Sequence, residues 1–303
     1  EFYVPIIPMI LVNGCKGIAT GFSTEVINFN IYEIIKYIQH WLINGKYDDS
    51  MTINPWYKDF TGTISSINNT KWETTGIYNF DGKNTIHIDE IPIGVSIEEF
   101  KNGLEKLIDD KKITSYNNYS TENKPSFEIK IKNFNGDTLG LIPKIKSCLN
   151  ISNMTLFDTD DNLKKFDNVY DIIHYYCNVR YAHYDKRKKY MINILENELT
   201  KIRNKYRFIL HVIKDNDIVF KRTAEQIIKT LTNEKYDKID NSFEYLLSIN
   251  VKSFTKEMLE KLKKLSNDKK TELELLNTKH INTIWYDDLN ELYTMLIKDD
   301  YFK

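Results

Sequence analysis

The chain has 303 residues, 42 basic and 43 acidic, and its formal net charge of -1 excludes a generally basic protein, so any nucleic-acid contact must be a local patch. That length suits two or three domains rather than one small one. No apolar run approaches the ~20 residues of a membrane span, and no secretory signal pattern opens the chain.

The cysteines (Cys15, Cys148, Cys177) are odd in number, far apart and at no metal-ligand spacing, which fits a reducing, intracellular setting. The histidines form no HxxxH or HExxH pair, which argues against a zinc enzyme, and neither a GxxxxGK loop nor a GxSxG elbow is present. Heavy use of Ile, Asn, Lys and Tyr points to an AT-rich genome. The chain opens on Glu1 rather than Met and runs at once into apolar Tyr3–Val12, which reads as a chain cut inside a larger protein.

In chain order, residues 1–30 are apolar and then glycine-rich. Asn13-Gly14-Cys15-Lys16-Gly17-Ile18-Ala19-Thr20-Gly21 reads as a loop whose backbone can approach a partner closely. Residues 31–43 read as an amphipathic helix with Ile31, Ile34, Ile35, Ile38 and Leu42 on one face. Strand character follows at 62–64, 72–77, 85–89 and 127–132, with Asp81-Gly82 as a turn and a helix over 96–112 that aligns Phe100, Leu104, Leu107 and Ile108. Residues 31–150 therefore read as a compact α+β unit.

Beyond Phe166 the pattern changes. Residues 166–213 hold no Gly and no Pro, and Ile192, Leu195, Leu199, Ile202, Tyr206, Ile209 and Ile213 alternate spacings of three and four, a coiled-coil seam. A continuous helix there would be about 70 Å long at ~1.5 Å per residue and needs a partner. The partner is read at 254–298, where Leu259, Leu262, Ser266, Lys269, Leu273, Leu276 and His280 repeat the spacing. Short mixed elements over 214–253 separate the two. The expected class is α+β: a mixed α/β domain, then a long antiparallel coiled-coil stalk with a small globular tip. An ordinary helical bundle is the alternative.

Several motifs support a family. Tyr3-Val4-Pro5-Ile6-Ile7-Pro8-Met9-Ile10-Leu11-Val12-Asn13-Gly14, then Gly17-Ile18-Ala19-Thr20-Gly21-Phe22-Ser23, resembles the Y-[IV]-P-I-I-P-M-x-L-x-N-G-x-x-G-I-G-T-G-W-S run of type II DNA topoisomerases of the eukaryotic and large-DNA-virus kind. Tyr57–Ile64 resembles that family's Y-K-x-F-x-G-T-I. Leu156-Phe157-Asp158, Leu163–Asp167 and Asp171–Ile173 resemble L-F-D, L-K-K-Y-D and D-I-L. Tyr245–Leu247 with Ser253–Glu257 resembles Y-L-L and S-L-T-K-E, and Ile284–Leu289 resembles L-W-x-x-D-L. The chain departs from the pattern at Cys15, Ala19 and Phe22, where the family usually has Ala, Gly and Trp.

The resemblance implies a homodimeric enzyme that cuts both strands of one duplex and passes another through, using ATP and Mg2+ held by parts upstream of Glu1. The strand-cutting tyrosine is also expected upstream, so this stretch implies no catalytic residue, no metal ligand and no cofactor of its own. Arg180-Tyr181 has the Arg-Tyr pattern of that nucleophile but lies in the helical stretch. The implied divisions are the end of the DNA gate (1–30), an α/β tower (31–150), a connector and first stalk helix (151–213), an exit-gate tip (214–253) and a returning stalk helix (254–303).

Ile18 matches the isoleucine that the family wedges between base pairs to bend the duplex; on the residues alone it also reads as a core residue under the loop. Gly17 and Gly21 would admit the duplex, and Lys16, Asn13, Thr20 and Ser23 are candidate phosphate contacts. Lys58, Lys71 and the run Lys186-Arg187-Lys188-Lys189 are further basic candidates or solvated faces. Leu246, Leu247 and Ile249 are candidates for the dimer contact or for the tip's own core. Expected partners are double-stranded DNA and a second copy, with no membrane; the compartment is the host cytoplasm for a virus and otherwise the nucleus. Two other readings compete: a non-catalytic coiled-coil scaffold, which gives no reason for both the Ile18 loop and the Tyr57–Ile64 motif, and a metal enzyme built on Asp158, Asp160 and Asp161.

Overall fold

The computed structural model describes residues 3–68, 70–122, 124–132, 142, 144–214 and 221–301. The remaining residues, including 215–220 of the expected tip and 133–141 of the expected tower, lie outside the described set. Two compact units are resolved, one of residues 1–180 and 286–303 and one of residues 181–285.

The first unit is mixed α/β. A short helix α1 (Met9–Asn13) leads into strands β1 (Cys15–Ala19) and β2 (Phe22–Val26), which pair antiparallel. The stretch expected to be a loop is thus mostly a β-hairpin. Helix α2 (Ile31–Asn44) starts where Asn30 accepts the amide N–H groups of Tyr32 and Glu33, and it ends at Gly45, whose φ is 69°. Its predicted apolar face is buried: Ile31, Ile34, Ile35, Ile38 and Leu42 all lie in the core.

Strands β3 (Thr63–Asn68) and β4 (Lys71–Thr75) join β9 (Lys146–Asn150) in a three-stranded antiparallel sheet of order β3-β4-β9. A four-stranded sheet of order β5-β6-β8-β7 is built from β5 (Tyr78–Phe80), β6 (Thr85–Ile88), β7 (Ser115–Asn118) and β8 (Phe127–Lys130). The Asp81-Gly82 turn forms as expected: the Asp81 carboxylate accepts the N–H groups of Lys83 and Thr85. Helix α3 (Ile97–Asp109), capped by the Ser96 hydroxyl, lays Phe100, Leu104 and Leu107 on Ile86, Ile88, Phe127 and Ile129 of this sheet. A second hairpin, β10 (Met154–Phe157) with β11 (Leu163–Phe166), follows.

Helix α4 (Val169–Lys214) runs unbroken for 46 residues, about 70 Å at ~1.5 Å per residue. In the second unit it lies antiparallel to α7 (Lys256–Thr278). Lys269 of α7 pairs with Glu198 at 3.0 Å, and Lys188 donates to the Asn277 and Lys279 carbonyl oxygens at 3.0 and 2.7 Å. Lys188 therefore satisfies orphan carbonyls at a helix end and favours its dipole. It is not part of a free basic face. The partner segment is not one helix: it breaks at Lys279-His280, and α8 (Ile281–Lys298) follows. Tyr184 stacks on the wholly buried Trp285, ring centroids 5.3 Å apart.

Between these helices α5 (Ala224–Asn233) and α6 (Glu244–Leu247) close a small core. It contains Phe208, Val212, Ile227, Leu231, Tyr236, Phe243 and Leu246, with Leu247 and Ile249 packed at its edge. Leu246 has no exposed surface and belongs to the tip's own core, while Leu247 and Ile249 stay half-buried. Of the expected seam residues Leu195, Leu199 and Ile209 are buried, whereas Ile213 is 39% exposed. Past Ile202 the buried stripe swings to Asn204, Phe208 and Val212, because there the helix must also cover the tip.

Candidate nucleic-acid interface

The candidate site is the β1–β2 hairpin. Its register pairs Lys16 with Glu25, Gly17 with Thr24, Ile18 with Ser23 and Ala19 with Phe22, and Thr20-Gly21 makes the turn. Gly21 has φ 81°, a left-handed value that L side chains rarely adopt. Strand alternation puts Lys16, Ile18, Ser23 and Glu25 on one face and Ala19 and Phe22 on the other.

Ile18 is 87% exposed, the most exposed large apolar side chain among the described residues. That removes the reading of Ile18 as a core residue under a loop. An apolar side chain held near a hairpin turn with nothing over it costs about 1.5–3 kcal/mol relative to a buried one, so its exposure needs another explanation than folding. Phe22, on the opposite face, is 59% exposed. A Cβ at Gly17 would meet only the Thr24 methyl at an ordinary 3.6 Å, and the Gly17 backbone has no positive φ. Nothing in the fold therefore demands glycine at Gly17, whereas a partner lying close to the backbone would.

The root of the hairpin is rigid. Gly14 has φ 64° and ψ 175°, and a Cβ there would meet the Asn28 side-chain oxygen at 2.5 Å and the Val26 carbonyl at 2.7 Å. The Asn28 amide donates to the Val12 carbonyl at 2.9 Å and ties α1 to the end of β2. Val26 and Ile27 are buried beneath it. Burial pushes the Tyr57 hydroxyl upward in pKa, against the lowering effect of the Asn28 backbone amide, which places Tyr57 against the same root.

The other predicted contacts divide. Asn13, Thr20 and Ser23 are exposed. Lys16 is exposed but its ammonium sits 3.1 Å from Glu25 across the hairpin. Such an exposed pair is worth about 0–1 kcal/mol. Lys58 lies over the Tyr301 ring at 5.4 Å. Arg180, the arginine of the Arg-Tyr pair, donates to the Val4 carbonyl, a structural role for that side chain. The carboxylate of Asp158 accepts the N–H groups of Asp160 and Asn162 and closes the β10–β11 turn. Among the described residues no group of three or more His, Cys, Asp or Glu side chains is arranged to hold a metal ion. No helix among them is long and apolar enough to cross a membrane.

Asn153 carries no sequence signal for its place at this site. Its side-chain amide donates to the Ser23 carbonyl at 3.0 Å and to the Ser23 hydroxyl at 2.7 Å, and its carbonyl accepts the Glu25 N–H at 2.9 Å. Thr155 N–H donates to the Thr24 hydroxyl at 3.2 Å. These contacts cross some 130 residues of chain, and no local pattern reports them.

Among known families, the model for DNA gyrase and topoisomerase IV, that of the A-type subunit, matches residues 1–290. The chain is 33% identical over 96% of its length to the protein named DNA topoisomerase 2 of Plasmodium falciparum and 30% identical over 96% to that of Acanthamoeba polyphaga mimivirus. It is 30% identical over 95% to human DNA topoisomerase 2-alpha. It spans only 24%, 29% and 22% of those relatives, about a quarter of their length. Its fold superposes with a TM-score of 0.84 and 32% identity on the crystal structure of the Plasmodium falciparum topoisomerase II DNA-binding, cleavage and re-ligation domain, covering 99% of this chain and 46% of that one.

Proposed function

The chain belongs to the DNA gyrase/topoisomerase IV family, and from that premise we propose that it is the DNA-bending and dimer-forming part of a type II DNA topoisomerase. The parent enzyme relaxes and decatenates duplex DNA by ATP-dependent double-strand passage. The residues of this chain bind and bend the duplex that is cut, and the nucleophilic tyrosine, ATP and Mg2+ act in other parts of the parent.

The observation that carries this reading is Ile18, 87% exposed beside the turn of a hairpin whose root is locked. An apolar wedge unstacks one base step at a cost of a few kcal/mol. Burying the isoleucine between bases returns about 1.5–3 kcal/mol of that. The bent duplex then meets more protein surface, which supplies the remainder. Gly17 lets the backbone come close, and Asn13, Thr20, Ser23 and Lys16, once released from Glu25, donate to phosphates without reading sequence.

The α4–α7 pair serves as the coiled-coil stalk. From Leu262 to Leu276, each residue of the expected α7 seam is less exposed than the residues on either side of it, which supports that reading. At the stalk end an apolar groove of about 250 Å³, lined by Leu247, Ile249, Val251 and Phe254 among others, is the proposed contact for a second copy. The parent works in the nucleus, or in the host cytoplasm if its source is viral.

The test is energy transfer between the labelled ends of a short duplex bound by the full chain. Ile18→Ala removes three carbons, roughly 2 kcal/mol of wedge energy, so the bent population should fall about thirtyfold while salt-sensitive binding changes little. Equal bending by wild type and Ile18→Ala refutes the proposal.

A further inference from the structure

A two-stranded hairpin is at best marginally stable in water on its own, yet the proposed wedge must push two stacked bases apart. The force on Ile18 passes first to its register partner Ser23 on β2. That residue is held from outside the hairpin. Asn153, just before β10, donates its side-chain amide to both the carbonyl (3.0 Å) and the hydroxyl (2.7 Å) of Ser23. The Asn153 carbonyl accepts from Glu25 N–H at 2.9 Å, and Thr155 N–H donates to Thr24 at 3.2 Å. Strand β10 is in turn paired with β11, whose Phe166 is buried.

We infer that Asn153 is a positioning residue for DNA bending, one that fixes the strand opposite Ile18 so that the wedge transmits strain to the duplex instead of yielding. The inference rests on the wedge reading above. Both side-chain bonds converge on the residue paired with Ile18, and the donor is an amide, which can give one N–H to each acceptor. Ser23, while accepting from Asn153, keeps its own O–H proton to donate to a phosphate, so the same brace orients a proposed DNA contact. The neighbouring Thr24 and Glu25 are tied only through backbone groups of the brace. Among the described residues Asn153 is therefore the side chain whose loss frees the wedge pair while the backbone contact from Asn153 to β2 survives.

The experiment uses the full chain and the same end-labelled duplex, with Ile18→Ala measured in parallel. Asn153→Ala is expected to lower the bent population at saturating DNA about tenfold, as two neutral hydrogen bonds are lost, with the thermal midpoint of the protein little changed. Asn153→Asp, of equal size but unable to donate to the Ser23 carbonyl, should fail in the same way. Ser23→Ala, which keeps the carbonyl acceptor, should fall between it and wild type. In an Ile18→Ala background Asn153→Ala should add nothing, a non-additivity that a merely structural role would not produce.

The two readings fail separately. Unchanged bending in Ile18→Ala overturns the wedge. Lost bending in Ile18→Ala with wild-type bending in Asn153→Ala overturns the positioning role. Should Asn153→Ala not fold, Ser23→Ala and Asn153→Asp decide the matter, and wild-type bending by either folded variant overturns the inference.

Discussion

Three glycines of the hairpin segment should respond to alanine in three different ways, because the structure gives each a different constraint. Gly14 combines φ 64° with ψ 175°, a region essentially closed to other residues, and a Cβ there would lie 2.5 Å from the Asn28 side-chain oxygen and 2.7 Å from the Val26 carbonyl. Gly14→Ala therefore carries ~1–3 kcal/mol of backbone strain and displaces Asn28 from Val12, adding ~1–3 kcal/mol, for a total of roughly 2–6 kcal/mol. Gly21→Ala keeps only the strain of its φ of 81°, since nothing lies within 4 Å of a Cβ there; the expected cost is about 1–2 kcal/mol. Gly17→Ala has neither problem and should change stability by less than about 0.5 kcal/mol. Its effect should appear instead as weaker binding to duplex DNA. Urea melts followed by circular dichroism rank the three for stability, and fluorescence anisotropy with a labelled duplex ranks them for binding. The reasoning is refuted if Gly14→Ala melts with wild type, or if Gly17→Ala loses more stability than Gly21→Ala.

Other outcomes follow from the same contacts. Trp285→Ala empties a wholly buried site stacked on Tyr184 and should cost ~3–5 kcal/mol, read by denaturant unfolding. Backbone N–H bonds from Asn162 and Asp160 hold the exposed Asp158 carboxyl below the usual carboxylate range. Their contribution is thus fully present above the unfolded value near pH ~4 and is lost as pH falls through the lower folded value. Amide chemical shifts of Asp160 and Asn162 should move together in acid, and Asp158→Asn should abolish that titration. Burial pushes the Cys177 thiol well above its ordinary range, while Cys148 is exposed. A thiol reagent at mildly alkaline pH should label Cys148 first and reach Cys177 only on unfolding; rapid modification of Cys177 in the folded chain would contradict its burial.

Helix α2, helix α3 and the strands at Thr63, Lys71, Thr85 and Phe127 were legible because each repeats its apolar residues at its own period, and one buried face suffices to produce that pattern. The β1–β2 hairpin was not. Its strands carry Lys, Gly, Ser and Thr on both faces and lie mostly in the open, so there is little alternation to read, and three glycines in eight residues suggest a loop. Strand β7, polar and exposed at three of its four positions, was missed for the same reason. The tip shows the opposite limit. Leu246, Leu247 and Ile249 are equally apolar in sequence, and only packing against Phe208, Ile227 and Phe243 separates the wholly buried Leu246 from its half-buried neighbours.

By itself the order of residues determined the α+β character, the long helix, the family and the singling out of Ile18, since all of these depend on local spacing or on motifs read along the chain. Tertiary structure alone decided that Ile18 points into the open, that Asn153 holds the strand beside it, that Lys188 satisfies carbonyls at a helix end, and that the returning segment breaks at Lys279-His280. Those facts depend on which distant groups meet. Periodicity tells how a segment buries its own face, and it carries no information about the partner that face or backbone will find a hundred residues away.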